Sequence, residues 1–162
     1  MTELGVVVDA NVWAHASNDA HHRCSTSLKL CEQVRHLSFF LYVDDGWSMS
    51  DDNQSRIGAE YIENLRFGMP GFHAVEWLAK TGRVRYVKVK VATNDRRAVN
   101  KMLPRNSKDR HYLRLLICTV ERIFASHDFD DFTEAVRLAC KKRWDTVIVE
   151  VDDLLHLVGA TS

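Results

Sequence analysis

Residues 6–16, VVVDANVWAHA, constrain the fold of this chain more than any other stretch. Three valines run into Asp9 without polar alternation, the pattern of a strand buried on both faces. In an open α/β sheet such a strand reaches solvent at its carboxyl end, which is the edge where ligands bind. Asp9 is therefore placed for chemistry rather than for packing. Asn11 is suited to capping the helix that follows, its side-chain oxygen accepting from a first-turn N–H.

Helical and extended patterns alternate along the rest of the chain. The periodicity predicts a helix over 25–35 and a second strand over 37–43, which ends in the turn Asp44-Asp45-Gly46. A further helix runs to residue 67, with Ile57, Tyr61 and Leu65 on one face and Glu60 beside them. Residues 68–71 (GMPG) break it, and another helix covers 72–80. Residues 84–91 (VRYVKVKV) alternate apolar and basic side chains, as in a half-exposed strand with Lys88 and Lys90 on its open face. A helix over 95–103 stops at Pro104, and Asn106 or Ser107 caps the next one, which carries Asp109, His111 and Tyr112. Residues 122–126 form a short buried strand followed by His127 and Asp128, and Asp131 or Thr133 starts a helix ending near Lys142. A strand over 146–151 and a short helix over 152–157 complete the chain. Such alternation with short connections predicts one α/β domain over 1–162, a three-layer α/β/α sandwich around a mainly parallel sheet.

With 22 basic and 22 acidic residues the chain is formally neutral, so a polyanionic partner must be met by a local patch. Residues 83–110 supply one: Arg83, Arg85, Lys88, Lys90, Arg96, Arg97, Lys101, Arg105, Lys108 and Arg110 face only Asp95 and Asp109. His111 and Tyr112 offer rings for stacking on a base or for packing, and His21-His22 reads as loop surface. Cys24, Cys31, Cys118 and Cys140 form no CxxC pair and read as small buried hydrophobes of a reducing compartment. The N-terminal MTELGVVVDA lacks a signal-peptide pattern, and no apolar run approaches the roughly 18 residues of a membrane span. The expected location is the cytoplasm, away from membranes.

Asp9 and Asp128 share a context, each at the end of a buried strand and before a helix, so a parallel sheet brings both to one edge. Asp109 opens a helix and Glu60 lies within one. Four acids from distant parts of the chain, with no accompanying His or Cys cluster, suit a hard divalent cation, Mg²⁺ or Mn²⁺.

This order of acids resembles that of the PIN-domain ribonucleases over most of the chain. The family's first motif, hhhDxNhh, is matched by VVVDANVW with Asp9 and Asn11. Its helical second acid is matched by Glu60, with Glu63 one turn on as an alternative. Its third is Asp109 in KDRHYLRLLICT, and its fourth is Asp128 in SHDFDDF, where Asp130 and Asp131 compete as an auxiliary acid. This chain has one more residue than the common spacing before the last Phe, and a longer link between the second strand and Glu60. The resemblance implies a PIN-like fold and metal-dependent cleavage of phosphodiester bonds, RNA before DNA, by a metal-activated water. Asp9 and Asp128 would hold the metal directly, Asp109 and Glu60 would complete the site, and Asn11, Ser126 and Asp131 would support it. Lys88, Lys90, Arg96, Arg97, Lys108 and Arg110 would track the nucleic acid. A homodimer or an antitoxin-like inhibitory protein is the expected protein partner. A catalytically degenerate domain that binds RNA or protein is the alternative. A haloacid-dehalogenase-type phosphatase needs a second Asp two residues after the first, where this chain has Asn11.

Overall fold

The two-sided apolar run becomes β1 (Leu4–Val8), the central strand of a five-stranded sheet in a computed structural model that describes residues 3–104 and 107–161. β1 pairs with β2 (Phe39–Asp44) on one side and with β4 (Ile123–Ala125) on the other. β3 (Val84–Val87) lies outside β2, and β5 (Val147–Val149) outside β4. The order is β3-β2-β1-β4-β5 and every pairing is parallel. Val6, Val7 and Val8 are buried, as a strand covered on both faces requires.

The connections follow from that order. The chain steps outward from β1 to β3 through α1 (Ala10–Ala14), a short 3₁₀ turn (His15–Ser17), α2 (Cys24–Gln33), α3 (Arg56–Asn64) and α4 (Pro70–Lys80). It then crosses back through α5 (Thr93–Met102) and α6 (Ser107–Ile117) to β4, and through α7 (Glu134–Trp144) to β5. Right-handed crossovers in opposite directions put the two helix sets on opposite faces of the sheet. Contacts agree: α2 packs on α4 and α1, and α5 packs on α6. The terminal helix α8 (Val151–Thr161) returns to pack on α2. The fold is α/β with an all-parallel sheet, and none of its described helices is long and apolar enough to cross a membrane.

The direction of stepping reverses between β1 and β4, and the crevice at their carboxyl ends is the topological switch point. Asp9 leaves β1 there and Ser126 leaves β4, Asp9 N–H donating to the Ala125 carbonyl at 3.0 Å.

Three local expectations change. The extended pattern of 84–91 outlasts its pairing, because β2 offers its last partner at Asp44, opposite Val87. Lys88 and Lys90 thus lie on an unpaired extended segment whose side chains still alternate in exposure. The N-cap of α1 is Asp9 rather than Asn11, because Asp9 holds the extended backbone of a cap (φ −63°, ψ 137°) and its Oδ1 accepts from Asn11 N–H. The last helix runs past 157, carried by Val151, Leu154 and Val158 on its buried face. Thr133, of the two candidates, starts α7, its side chain accepting from Val136 N–H at 3.3 Å. Arg105 and Asn106 lie outside the described residues.

The packing of α4 on α1 needs a glycine. A Cβ on Gly71 would fall 2.3 Å from the Trp13 carbonyl oxygen, and Trp13 is itself fully buried. Neither backbone can yield without moving the helix that carries it. Gly71→Ala is expected to cost about 1–2 kcal/mol of stability in urea unfolding. An unchanged midpoint would show that the two helices can slide apart freely.

Candidate active site

Five acidic side chains reach the switch point from four segments. Asp9 is 2% exposed and both of its oxygens are engaged: Oδ1 by Asn11 N–H at 3.0 Å and Oδ2 by the Ser126 hydroxyl at 3.1 Å. Ser126 Oγ in turn accepts from Asp128 N–H at 3.0 Å, and Asp128 Oδ1 accepts from Asp131 N–H at 3.3 Å. A continuous relay of hydrogen bonds thus fixes the loop after β4 against the end of β1.

Asp109, in the first turn of α6, is 4% exposed. Oxygens of Asp109, Asp128 and Asp131 lie within 4.8 Å of one another. Among the described residues this trio is the acid group placed to share a metal ion, and its membership differs from the expected set. Asp131, assigned a supporting role from the sequence, belongs to it, while Asp9 lies within electrostatic reach of Asp109, each of its oxygens accepting one hydrogen bond. The turn after β4 explains the difference: the Asp128–Asp131 hydrogen bond folds Asp131 back beside Asp128, whereas Asp130 is exposed.

Glu60 comes from α3, which starts at Ser55, whose Oγ accepts from Gly58 N–H and donates to Asp44 Oδ1 at the end of β2. Ile57 and Tyr61 bury one face of this helix and leave Glu60 9% exposed at the edge where α3 meets α6. Tyr112 of α6 ties the elements together: its hydroxyl accepts from Ala10 N–H at 3.0 Å and donates to the Glu60 carboxylate. Tyr112 therefore packs and positions rather than stacking on a ligand. Glu63 is exposed one turn further on. Tyr112→Phe leaves a buried N–H without its acceptor and Glu60 without its donor, so it is expected to cost about 1–2 kcal/mol. Thermal unfolding measures the cost, and a variant as stable as the parent would show that water replaces the hydroxyl.

The electrostatics are those of crowded anions. Burial, and then the charges of Asp128, Asp9 and Asp131, push Asp109 up to about 8. Burial and the neighbouring Asp9 push Glu60 up to about 7. Burial pushes Asp9 up to about 6, against the lowering effect of its bonds to Asn11 and Ser126. Lys108 offsets part of this charge at Asp9 and Glu60. An all-oxygen donor set of closely spaced carboxylates fits a hard divalent cation such as Mg²⁺ or Mn²⁺.

Histidines flank the acids. His15 Nδ1 and His127 Nδ1 lie 2.8 Å apart, and the His21 ring stacks on His15 at 3.6 Å between centroids. His21 is half-buried in this stack, not loop surface, because the 3₁₀ turn carries His15 to it; His22 remains exposed. Burial and the neighbouring imidazoles hold His15 down at about 4 and His127 at about 3, so both are neutral at neutral pH. The stack braces the 3₁₀ turn against the loop that presents Asp128. Sequence reading missed it, because His127 meets His15 and His21 only through the β1–β4 pairing.

The expected basic track divides. Lys108 lines a cleft of about 230 Å³ with Glu60, Glu63, Arg56 and His111. Arg96 lines a neighbouring cleft, and Arg97, Lys88 and Lys90 are exposed. Arg110 is taken up by the chain itself, its Nε donating to the Leu103 carbonyl at 2.6 Å and its Nη2 to the Pro104 carbonyl at 2.8 Å. Arg56 and Arg114, which the sequence did not single out, join Arg96 in the second cleft. No protein-family model, curated protein or solved structure matches this chain.

Proposed function

We propose that this protein is a divalent-metal-dependent nuclease of the PIN-like type, cleaving phosphodiester bonds of single-stranded nucleic acid, RNA in preference to DNA. The observation that carries the reading is the approach of Asp109, Asp128 and Asp131 to within 4.8 Å at the carboxyl edge of a parallel sheet. These three would hold the cation, which when bound makes a water nucleophilic and offsets charge on the phosphoryl oxygens.

The chain's own residues do the rest. Asp9, through Ser126, holds the Asp128 backbone and adds negative charge behind the trio. Tyr112 and Lys108 both favour the ionised form of Glu60, the form able to accept a proton from a water in the cleft. Lys108 and the arginines beyond it provide the positive surface a phosphate backbone needs in a chain with no net charge.

The test is cleavage of end-labelled single-stranded RNA and DNA in Mn²⁺, Mg²⁺ or EDTA. Products in Mn²⁺ or Mg²⁺ that vanish in EDTA support the reading. Purified protein that binds RNA but leaves it intact with either metal would favour a binding module instead.

A further inference from the structure

Beside the acid centre, a cleft of about 390 Å³ is lined by Asp44, Arg56, Val89, Arg96, His111 and Arg114 among others. Its three guanidinium groups come from three different helices, α3, α5 and α6. Among the described residues, none of the three is ion-paired. Arg56 Nη1 lies 3.3 Å from His111 Nε2. Arg114 Nη2 donates to Asn100 Oδ1 at 2.8 Å, while its Nε is buried without a partner. The carboxylate on this wall, Asp44, accepts from the Ser55 hydroxyl at 2.5 Å.

Cations gathered this way repel one another. Burial holds Arg114 below the usual guanidinium range, and the charges of Arg96, Arg110 and Arg56 add to the effect. A protein recovers that cost when an anion enters, and the planar guanidinium fork matches the oxygens of a phosphate. The number of cations indicates which phosphate. A phosphodiester brings one charge and two free oxygens, whereas a terminal phosphomonoester brings a charge near −2 and three acceptor oxygens. Three guanidiniums against the one carboxylate of Asp44 leave two positive charges around the concavity, which suits the second. The location fits too: Arg56, Ile57 and His111 also line the cleft that carries Glu60 and Lys108, so the two spaces share a wall.

We propose that the Arg56–Arg96–Arg114 cleft receives the terminal phosphate of a nucleic-acid strand and sets the strand's position relative to the acid centre. The identity of the strand as substrate rests on the nuclease reading; the phosphate site itself does not. Binding is therefore measured in EDTA, without cleavage, by fluorescence anisotropy. The probes are short single-stranded RNAs that carry a 5′-phosphate, a 3′-phosphate or hydroxyls at both ends, labelled at the end not under test. One phosphate-terminated RNA is expected to bind at least ~10-fold more tightly than the hydroxyl-terminated one. Inorganic phosphate at millimolar concentration should remove that preference. Arg114→Gln should reduce it to within about twofold. Arg96→Gln should do the same, and because Arg96 is exposed its loss leaves the fold intact. Equal affinity for all three RNAs would overturn the proposal, as would a preference that both variants keep. RNAs that all bind equally and all weaken in the variants would assign the arginines to internal phosphates, which also overturns it. A phosphate preference without metal-dependent cleavage would retain this site and remove the nuclease reading; cleavage without the preference would do the reverse.

Discussion

Asp109→Asn, Asp128→Asn and Asp131→Asn are each expected to lower metal-dependent RNA cleavage on the order of 10²–10³-fold. The amide keeps the shape of the side chain but loses the charge that a divalent cation needs. Asp9→Asn is expected to cost less, about 10–100-fold, because both Asp9 oxygens are already held by Asn11 and Ser126 and its effect passes through them. The ranking is the informative part. It reverses what the family resemblance alone implies, in which Asp9 holds the metal and Asp131 only assists. Single-turnover cleavage of one labelled RNA by the four variants, with circular dichroism to verify folding, measures it. Full activity in Asp131→Asn together with none in Asp9→Asn would sink the trio as the metal site and restore Asp9 to first place.

Metal-free protein is expected to lose about 2 kcal/mol of stability between pH 6.5 and 8.5, after allowance for solvent screening at the open crevice. Asp9, Glu60 and Asp109 stand at about 6, 7 and 8, above their ordinary values of 3.8, 4.5 and 3.8. A carboxyl raised in this way gives stability that is complete below its unfolded value and is lost as pH climbs through the folded one. The histidines run the other way. His15 and His127 are held below 6.5, so their contribution is complete above that pH and falls away in acid. Above pH 6.5 the acids therefore act with little opposition. In EDTA the melting temperature should drop by roughly 5 °C across this interval, and Mn²⁺ should restore it most at the alkaline end. Asp109→Asn should flatten the EDTA profile and melt above the parent at pH 8.5. A parent profile in EDTA that is level, or that rises with pH, would refute the crowded-anion account.

Much of this was legible in the chain. The valine run before Asp9 and the short apolar run before Asp128 sufficed to indicate a parallel sheet with two acids at one edge, because short apolar runs without polar alternation, in an alternating α/β chain, mark strands covered on both faces. Ile57, Tyr61 and Leu65 similarly marked the buried face of α3 and so the placement of Glu60. What escaped depends on turns and on pairing partners. The side chain of Asp131 joins the trio through a four-residue turn after β4, and spacing alone could not separate it from Asp130. Lys88 and Lys90 alternate like a strand, yet pairing depends on how far β2 extends. Arg56 is the lone basic residue of α3 and Arg114 lies just beyond the basic segment 83–110, and only the meeting of α3, α5 and α6 makes them neighbours of Arg96.

Because β1 pairs with β4, Val6 lies opposite Ile123 and the chain must close a loop of more than a hundred residues before its centre exists. A growing polypeptide on the ribosome carries Asp9 and Glu60 long before it carries Asp128 and Asp131. The acids then sit on a half-sheet with no crevice. Until β4 is made the acid group is incomplete, and any fragment that stops short of β4 lacks Asp128 and Asp131. The same division suggests where to cut the chain so that neither piece holds the whole acid group: within the crossover between β3 and β4.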